Sequence, residues 1–362
     1  SGDTVIIDGN QGRVIVNPKA STLAAYEAKQ AEHRRVLGRL ARLRRQPSIT
    51  RDGVEISLGC NVELPIEMPG VLSAGAASIG LLRSEFMFMN REVIPSEDEQ
   101  FRILKDMVDA MDGRTVTIRT LDIGGEKLAQ SITQDIGESA QSALGLRGIR
   151  LSLKKPELME GQIAAILRAG AFGPVRILLP MVSTVREVIK AREIIKRVAK
   201  KLKRKKIAIA DPLPPVGVMI EVPSAALTAD AMAAVSDFFA VGSNDLTMYT
   251  LAIDRTDEQV AALYNPLHPS VLRLIQFTAE AALRNRIPIS ICGEMAGDPR
   301  YTALIMGLGI RELSMSAHSL GPVKQRVREI EMAAAQNRAH FIMSQTDPGR
   351  IAMLLDDFNS LV

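Results

Sequence analysis

Two short strings concentrate residues able to do chemistry: Gly242-Ser243-Asn244-Asp245-Leu246 and Cys292-Gly293-Glu294-Met295-Ala296-Gly297-Asp298. Each directly follows an apolar run that reads as a buried parallel strand, residues 238–241 and 287–291, and a longer helical pattern comes after each. In parallel α/β architectures the residues just past the carboxyl ends of strands line the active face. The two strings therefore predict an enzyme.

Other strand ends deliver further ionisable groups: Arg83 and Glu85, then Arg119, Asp122 and Lys127, then Glu221, with Arg147, Arg150 and Arg255 just beyond such loops. Arginines converging from several strand ends suit a small, multiply charged anion, because planar guanidinium forks match phosphate and carboxylate oxygens. Glu221 and Asp245 fall at strand ends that would be neighbours, as hard oxygen ligands for Mg²⁺ should. A plain salt-bridge network is the other reading of the same acids and arginines. In Asp122-Ile123-Gly124-Gly125-Glu126-Lys127 the glycines let backbone approach an anion and Lys127 adds a point charge. Cys292, at a strand end near several cations, is expected to have a lowered pKa and to transfer a proton; a small buried core residue is its alternative.

The elements that must position these residues alternate along the chain. Strand-like runs at 54–60, 78–82, 115–120, 175–181, 216–220, 238–241, 287–291 and 312–315 are separated by amphipathic helical stretches. Eight strands separated by helices predict a closed (β/α)8 TIM barrel over residues 48–362. A doubly wound sheet would show a glycine fingerprint after its first strand, and Cys60-Asn61-Val62-Glu63 is no such loop. Ahead of the barrel, residues 1–19 read as a short β fragment around Asp8-Gly9-Asn10 and Gly12. Residues 20–47 read as a connecting helix, with Leu23, Tyr26, Ala31, Leu37, Leu40 and Leu43 at helical spacing and Pro47 as its stop.

Composition narrows the classes. With 362 residues, 46% of them hydrophobic, the chain can bury a full core. No run approaches the ~20 apolar residues of a membrane span, and the opening residues are not a charged-then-apolar leader, so a cytoplasmic protein without membrane contact is expected. Cys60 and Cys292 lack metal-ligand or CxxC spacing and are expected to be thiols. The basic run Lys200, Lys201, Lys203, Arg204, Lys205 and Lys206 ends a predicted helix, where cations complement the dipole; no aromatic residue is interleaved with it, so nucleic acid is not an expected partner.

Six strings carry a resemblance: Leu82-Arg83-Ser84-Glu85-Phe86, Ile118-Arg119-Thr120-Leu121-Asp122-Ile123-Gly124-Gly125, Met219-Ile220-Glu221-Val222-Pro223, Gly242-Ser243-Asn244-Asp245-Leu246-Thr247, Ala252-Ile253-Asp254-Arg255 and Cys292-Gly293-Glu294-Met295-Ala296-Gly297-Asp298. In this order, through residues 48–320, they resemble the phosphoenolpyruvate-binding domain of the enzyme I family, the phosphoenolpyruvate-protein phosphotransferases of the bacterial sugar phosphotransferase system. The resemblance implies a dimeric barrel that binds phosphoenolpyruvate and Mg²⁺ and releases pyruvate. It implies that Arg83, Arg119 and Arg255 hold the substrate's phosphate and carboxylate with Arg147 assisting, that Asn244 adds a hydrogen bond, that Glu221 and Asp245 ligate Mg²⁺, and that Cys292 protonates the enolate carbon. Ser84 and Ser243 replace the family's common threonines, Met248 a glutamine, and Ser142-Ala143 an Asn-Pro pair ahead of Arg147.

The family's phosphate acceptor is a histidine in a separate N-terminal domain, and none of His33, His268, His318 or His340 lies in such a context. The resemblance thus implies that the chain is the substrate-binding part of a longer enzyme, with residues 1–19 the tail of the phosphohistidine domain, and that a histidine-containing phosphocarrier protein is served through the missing domain. Pyruvate phosphate dikinase and phosphoenolpyruvate synthase resemble the same barrel motifs. A non-catalytic module that senses phosphoenolpyruvate is the remaining alternative.

Overall fold

The structure, a computed structural model, describes residues 2–9, 11–89, 91, 93–123, 143–254 and 257–360. The chain forms two compact units that part between Pro47 and Ser48. In the first, β1 (Val5–Asp8) and β2 (Arg13–Val16) pair as an antiparallel hairpin, and a helix spans Ala20–Leu43, stopping short of Pro47. Two strands of four residues each cannot bury a core, and Ile7 and Val14 are exposed accordingly.

The second unit is a (β/α)8 barrel. Its strands are β3 (Ser57–Val62), β4 (Ile79–Arg83), β5 (Val116–Arg119), β6 (Val175–Leu179), β7 (Val216–Ile220), β8 (Phe238–Val241), β9 (Ile289–Ile291) and β10 (Glu312–Met315). They pair in parallel in chain order, and β10 closes onto β3. Strands walled by helices outside and by packed side chains inside must be apolar on both faces, which is why β7 and β8 are buried at every position. Most of the core lies between strands and helices. A smaller apolar cluster, Leu81, Leu178, Met219, Phe238, Ala240 and Cys292, fills the lumen. A side chain at Gly217 would collide with the Phe238 ring, so that glycine makes room for the plug.

Asp52, just before the barrel, ties its start to a late helix, Met332–Met343. Its carboxylate accepts from Met332 N (2.9 Å), from the Thr50 hydroxyl (2.6 Å) and from Ala333 N (3.3 Å), at the end of a helix where negative charge is favoured. These donors, the Met332 amide foremost, hold its pKa down at about 2. A depressed carboxylate stabilises the fold above its unfolded pKa of 3.8 and loses that contribution as pH falls through about 2. Asp52→Ala is therefore expected to melt earlier at pH 7, with the difference from the parent shrinking between pH 3.8 and 2, as thermal unfolding followed by circular dichroism would show. A difference independent of pH would assign Asp52 a packing role only.

Candidate active site

The carboxyl ends of the strands bring the sequence-predicted groups to one face. Arg83 ends β4 and Arg119 ends β5; Glu221 follows β7; Asn244 and Asp245 begin the helix Ser243–Leu251 after β8; Cys292 follows β9. Parallel pairing of β7 with β8, Ile220 opposite Val241, makes Glu221 and Asp245 neighbours as expected. Arg147 lies immediately before the helix Gly148–Lys154. Lys127 and Arg255 lie outside the described residues.

Asp122 is the hub. Its buried carboxylate accepts from Arg147 Nε at 3.1 Å and Nη2 at 3.0 Å, and Arg119 Nη1 lies 3.1 Å away. Arg119, 8% exposed, also reaches Glu85 Oε1 at 3.0 Å. The same Glu85 oxygen accepts from the backbone N–H of Asp122 at 3.0 Å, so Glu85 fixes the hub and one of its arginines together. Gln162, buried in the helix Pro156–Ala169, supports the loop from behind by accepting from Leu121 N (2.8 Å) and donating to Ser84 Oγ (2.9 Å). Arg83 is ion-paired with Glu63. Arg150 is spent on the main-chain carbonyls of Leu144 (3.1 Å) and Gly145 (3.5 Å), and so braces a loop instead of joining the arginine cluster.

Asp122, Glu221 and Asp245 offer carboxylate oxygens within 4.8 Å of one another. Burial opposes the charge on Asp122, but Arg119 and Arg147 outweigh it and hold the carboxyl below the usual range. Glu221 goes the other way: burial, and then the charges of Asp122 and Asp245, push it well above the usual range. One of its oxygens accepts from Met181 N at 2.6 Å. Three clustered carboxyl groups are a donor set suited to a hard divalent cation, which takes oxygen ligands and, when bound, favours the deprotonated form of Glu221. The site therefore fits Mg²⁺, with Asp122 beside the two acids named from sequence.

Cys292 corrects an expectation. The residue is 4% exposed and belongs to the lumen cluster, and burial pushes its pKa up to about 12, with Arg119 and Arg83 only partly offsetting this. The predicted lowering does not occur, because apolar packing outweighs the nearby cations. A thiol raised in this way keeps its proton at neutral pH.

A cleft of about 700 Å³ opens on this face, lined by Arg83, Asn244, Cys292 and Glu294 among others. Asn244 and Glu294 clamp the two motif loops together: Asn244 Nδ2 donates to Glu294 Oε1 and Glu294 N donates to Asn244 Oδ1, both at 2.9 Å. Five buried polar atoms without a protein partner cluster at these strand ends: Arg83 Nε, Glu85 Oε2, Arg119 Nε, Thr120 Oγ1 and Ser243 Oγ. Such groups are ones that a bound ligand, ion or water would satisfy. His318 lines the cleft, whereas His268 caps the helix Pro269–Asn285 through Ser270. The glycine of the second motif is a packing necessity, since a side chain at Gly293 would collide with Ser243.

Asn61 and Gln162 escaped sequence reasoning. Each makes its contacts across long chain separations, and a single polar residue in an apolar run carries no local signal of that.

Comparison with known proteins agrees with the geometry. Residues 38–332 match the family model described as PEP-utilising enzyme, PEP-binding domain. The phosphoenolpyruvate-protein phosphotransferase of Cupriavidus necator is 43% identical over 354 residues, covering 98% of this chain and 60% of the relative. Those of Staphylococcus carnosus and Bacillus subtilis are 40% and 38% identical, over 94% and 96% of this chain and 59% and 60% of theirs. The chain thus spans about three fifths of the length of these relatives. It belongs to the PEP-utilising enzymes, and its barrel is their PEP-binding domain.

Proposed function

We propose that this chain is the substrate-binding part of a phosphoenolpyruvate-protein phosphotransferase, which passes the phosphoryl group of phosphoenolpyruvate to a histidine of another domain and from there to a histidine-containing phosphocarrier protein. In this reading residues 1–19 are the tail of the phosphohistidine domain and residues 20–47 the linker to the barrel. The protein works in the cytoplasm as a homodimer; among the described residues no helix is long and apolar enough to cross a membrane.

The observation that carries the reading is the joint placement of a buried and two half-buried arginines, a carboxylate triad and a buried thiol at one strand-end face. Arg83, Arg119 and Arg147 orient the phosphate and carboxylate of the substrate, and Asn244 adds a hydrogen bond. Lys127 and Arg255 are assigned to the same anion. As the histidine nitrogen bonds to phosphorus, the bridging P–O bond breaks and its electron pair stays on the enolate oxygen. The enolate carbon then takes the proton of Cys292 Sγ, giving pyruvate, and solvent reprotonates the sulfur. Glu221 and Asp245, with Asp122 beside them, would hold Mg²⁺. That ion, when bound, supplies positive charge to phosphate and enolate oxygens.

Charge balance supports a metal requirement. Among the described residues Glu63, Glu85, Asp122 and Asp245, with Glu221 beside them, face the guanidinium groups of Arg83, Arg119 and Arg147, so a divalent cation at the carboxyl cluster should strengthen the pull on a multiply charged anion. Calorimetric titration of phosphoenolpyruvate into the chain is expected to give binding with Mg²⁺ that is lost in EDTA and lost in Asp245→Ala. Binding that is indifferent to both changes, or absent in every condition, would overturn the assignment.

A further inference from the structure

Cys292 is fixed through both of its main-chain groups. Its N–H donates to Val241 O at 3.0 Å, an ordinary bond between neighbouring strands. Its carbonyl accepts instead from a side chain, Asn61 Nδ2 at 2.8 Å, across 231 residues of sequence. The other end of the same amide, Asn61 Oδ1, accepts from Ser314 Oγ at 2.7 Å. The assignment of O and N within the amide follows from these two partners, since a carbonyl cannot donate to Asn61.

Three features show this strut to be built into the barrel. The pairing of β3 with β4 shifts register between Cys60 and Asn61, and such irregularities beside active sites re-aim a side chain. Asn61 lines the cleft together with Cys292, while Ser314, 2% exposed, lines a separate cavity of about 140 Å³ among the opening residues of the strands. The bond between them therefore runs along the lumen from one end of the barrel towards the other. Finally, a side chain at Gly80 would collide with Ser314, so a glycine on β4 keeps the place where the hydroxyl sits.

We infer that Asn61, oriented by Ser314, is a positioning residue for proton transfer by Cys292: it holds the main chain so that the thiol meets the substrate carbon. The inference rests on the proposed role of Cys292. The thiol, packed on one side against the apolar lumen cluster, has a weak hydrogen bond of its own, Sγ to Val241 O at 3.5 Å, to set its direction. Placement must come from the backbone, and errors of about 1 Å in a reacting group cost on the order of 100-fold in rate.

Protonation of enolpyruvate run in reverse exchanges the methyl protons of pyruvate with solvent, which the barrel can do without a phosphate acceptor. The test is deuterium exchange into pyruvate in D₂O with Mg²⁺, followed by proton NMR, for the full chain and for Asn61→Ala, Ser314→Ala and Cys292→Ala. Asn61→Ala is expected to lower kcat for exchange by about 100-fold with KM for pyruvate unchanged, and to lower the melting temperature because the Cys292 carbonyl and the Ser314 hydroxyl lose their partner. Ser314→Ala should lower kcat in the same sense but less, because the donor to Cys292 remains. In the double variant Asn61→Ala, Cys292→Ala the rate should equal that of Cys292→Ala alone. If Cys292→Ala exchanges as fast as the parent, the underlying role of the cysteine fails. If Cys292→Ala abolishes exchange while both Asn61→Ala and Ser314→Ala keep the parent kcat, or if they change KM alone, the positioning role fails and the cysteine's role stands. Should Asn61→Ala not fold, Ser314→Ala carries the same test.

Discussion

Arg119→Met is expected to lose phosphoenolpyruvate binding and to destabilise the barrel by about 3–5 kcal/mol, the range for removing one partner from a buried ion pair. Burial works against the Arg119 charge, but Glu85, Asp122, Glu221 and Asp245 together hold the guanidinium firmly protonated. Deleting it leaves Asp122, whose side chain is 1% exposed, with Arg147 alone, and leaves Glu85 without its guanidinium partner. Denaturant unfolding measures the cost directly. Arg119→Lys separates the two effects: a point charge keeps part of the neutralisation but cannot bridge Glu85 and Asp122 while also presenting a flat fork to an anion. It should therefore recover much of the stability and little of the binding. Equal recovery of both would mean that Arg119 acts as charge only, and unchanged stability in Arg119→Met would mean that the hub around Asp122 is held by Arg147.

Much of this barrel was legible in sequence because its strands are buried on both faces and read as unbroken apolar runs. The strands Val216–Ile220, Phe238–Val241 and Glu312–Met315 fall at the expected residues. Misplaced ends have local causes. The run at 54–60 begins pairing only at Ser57, since Val54 O and Glu55 are used in a turn with Thr50 and Ile49. The run at 287–291 starts at Ile289 because Ile287 N closes the preceding helix onto Ala282 O and Pro288 has no N–H to give. The run at 175–181 stops at Leu179, before Pro180 and a Met181 with φ of 57°.

At the candidate site, residue type and strand-end position were enough to nominate Arg119, Glu221, Asp245 and Cys292. They were not enough to say which carboxylate pairs with which arginine. Asp122 stood among the collected residues with no role, and only the fold shows it receiving both Arg119 and Arg147. Protonation states were less legible still. A carboxyl or thiol in a string of letters has neighbours on one strand, whereas its pKa is set by groups on four or five.

Cys292 shows how far that matters, and its predicted behaviour has the largest range of all. With the thiol raised to about 12, thiolate at pH 7 is rarer than for an ordinary cysteine of 9.0 by a factor of about 10³. Alkylation of Cys292 by iodoacetamide, followed peptide by peptide so that Cys60 is counted apart, should be slower than for a free thiol by about that factor. It should also climb about tenfold per pH unit from 7 to 10 without a plateau. The sign for stability follows from the same raised value: the folded chain keeps a proton that the unfolded chain gives up above 9.0, so the contribution is complete below 9.0 and is lost as pH rises towards 12. Cys60, buried and likewise raised to about 12, adds to the alkaline loss. For the chemistry, a donor protonated throughout the neutral range means that protonation of the enolate runs with the acid always loaded, while exchange of pyruvate protons draws on the small thiolate fraction that can take a methyl proton and should therefore speed up as pH rises. Cys292→Ala should lower the exchange rate by about 10²–10⁴-fold, the range for a positioned acid or base. Fast alkylation at pH 7 with a plateau below pH 8 would show a thiolate stabilised by Arg83 and Arg119 instead, and would make Cys292 a base at rest.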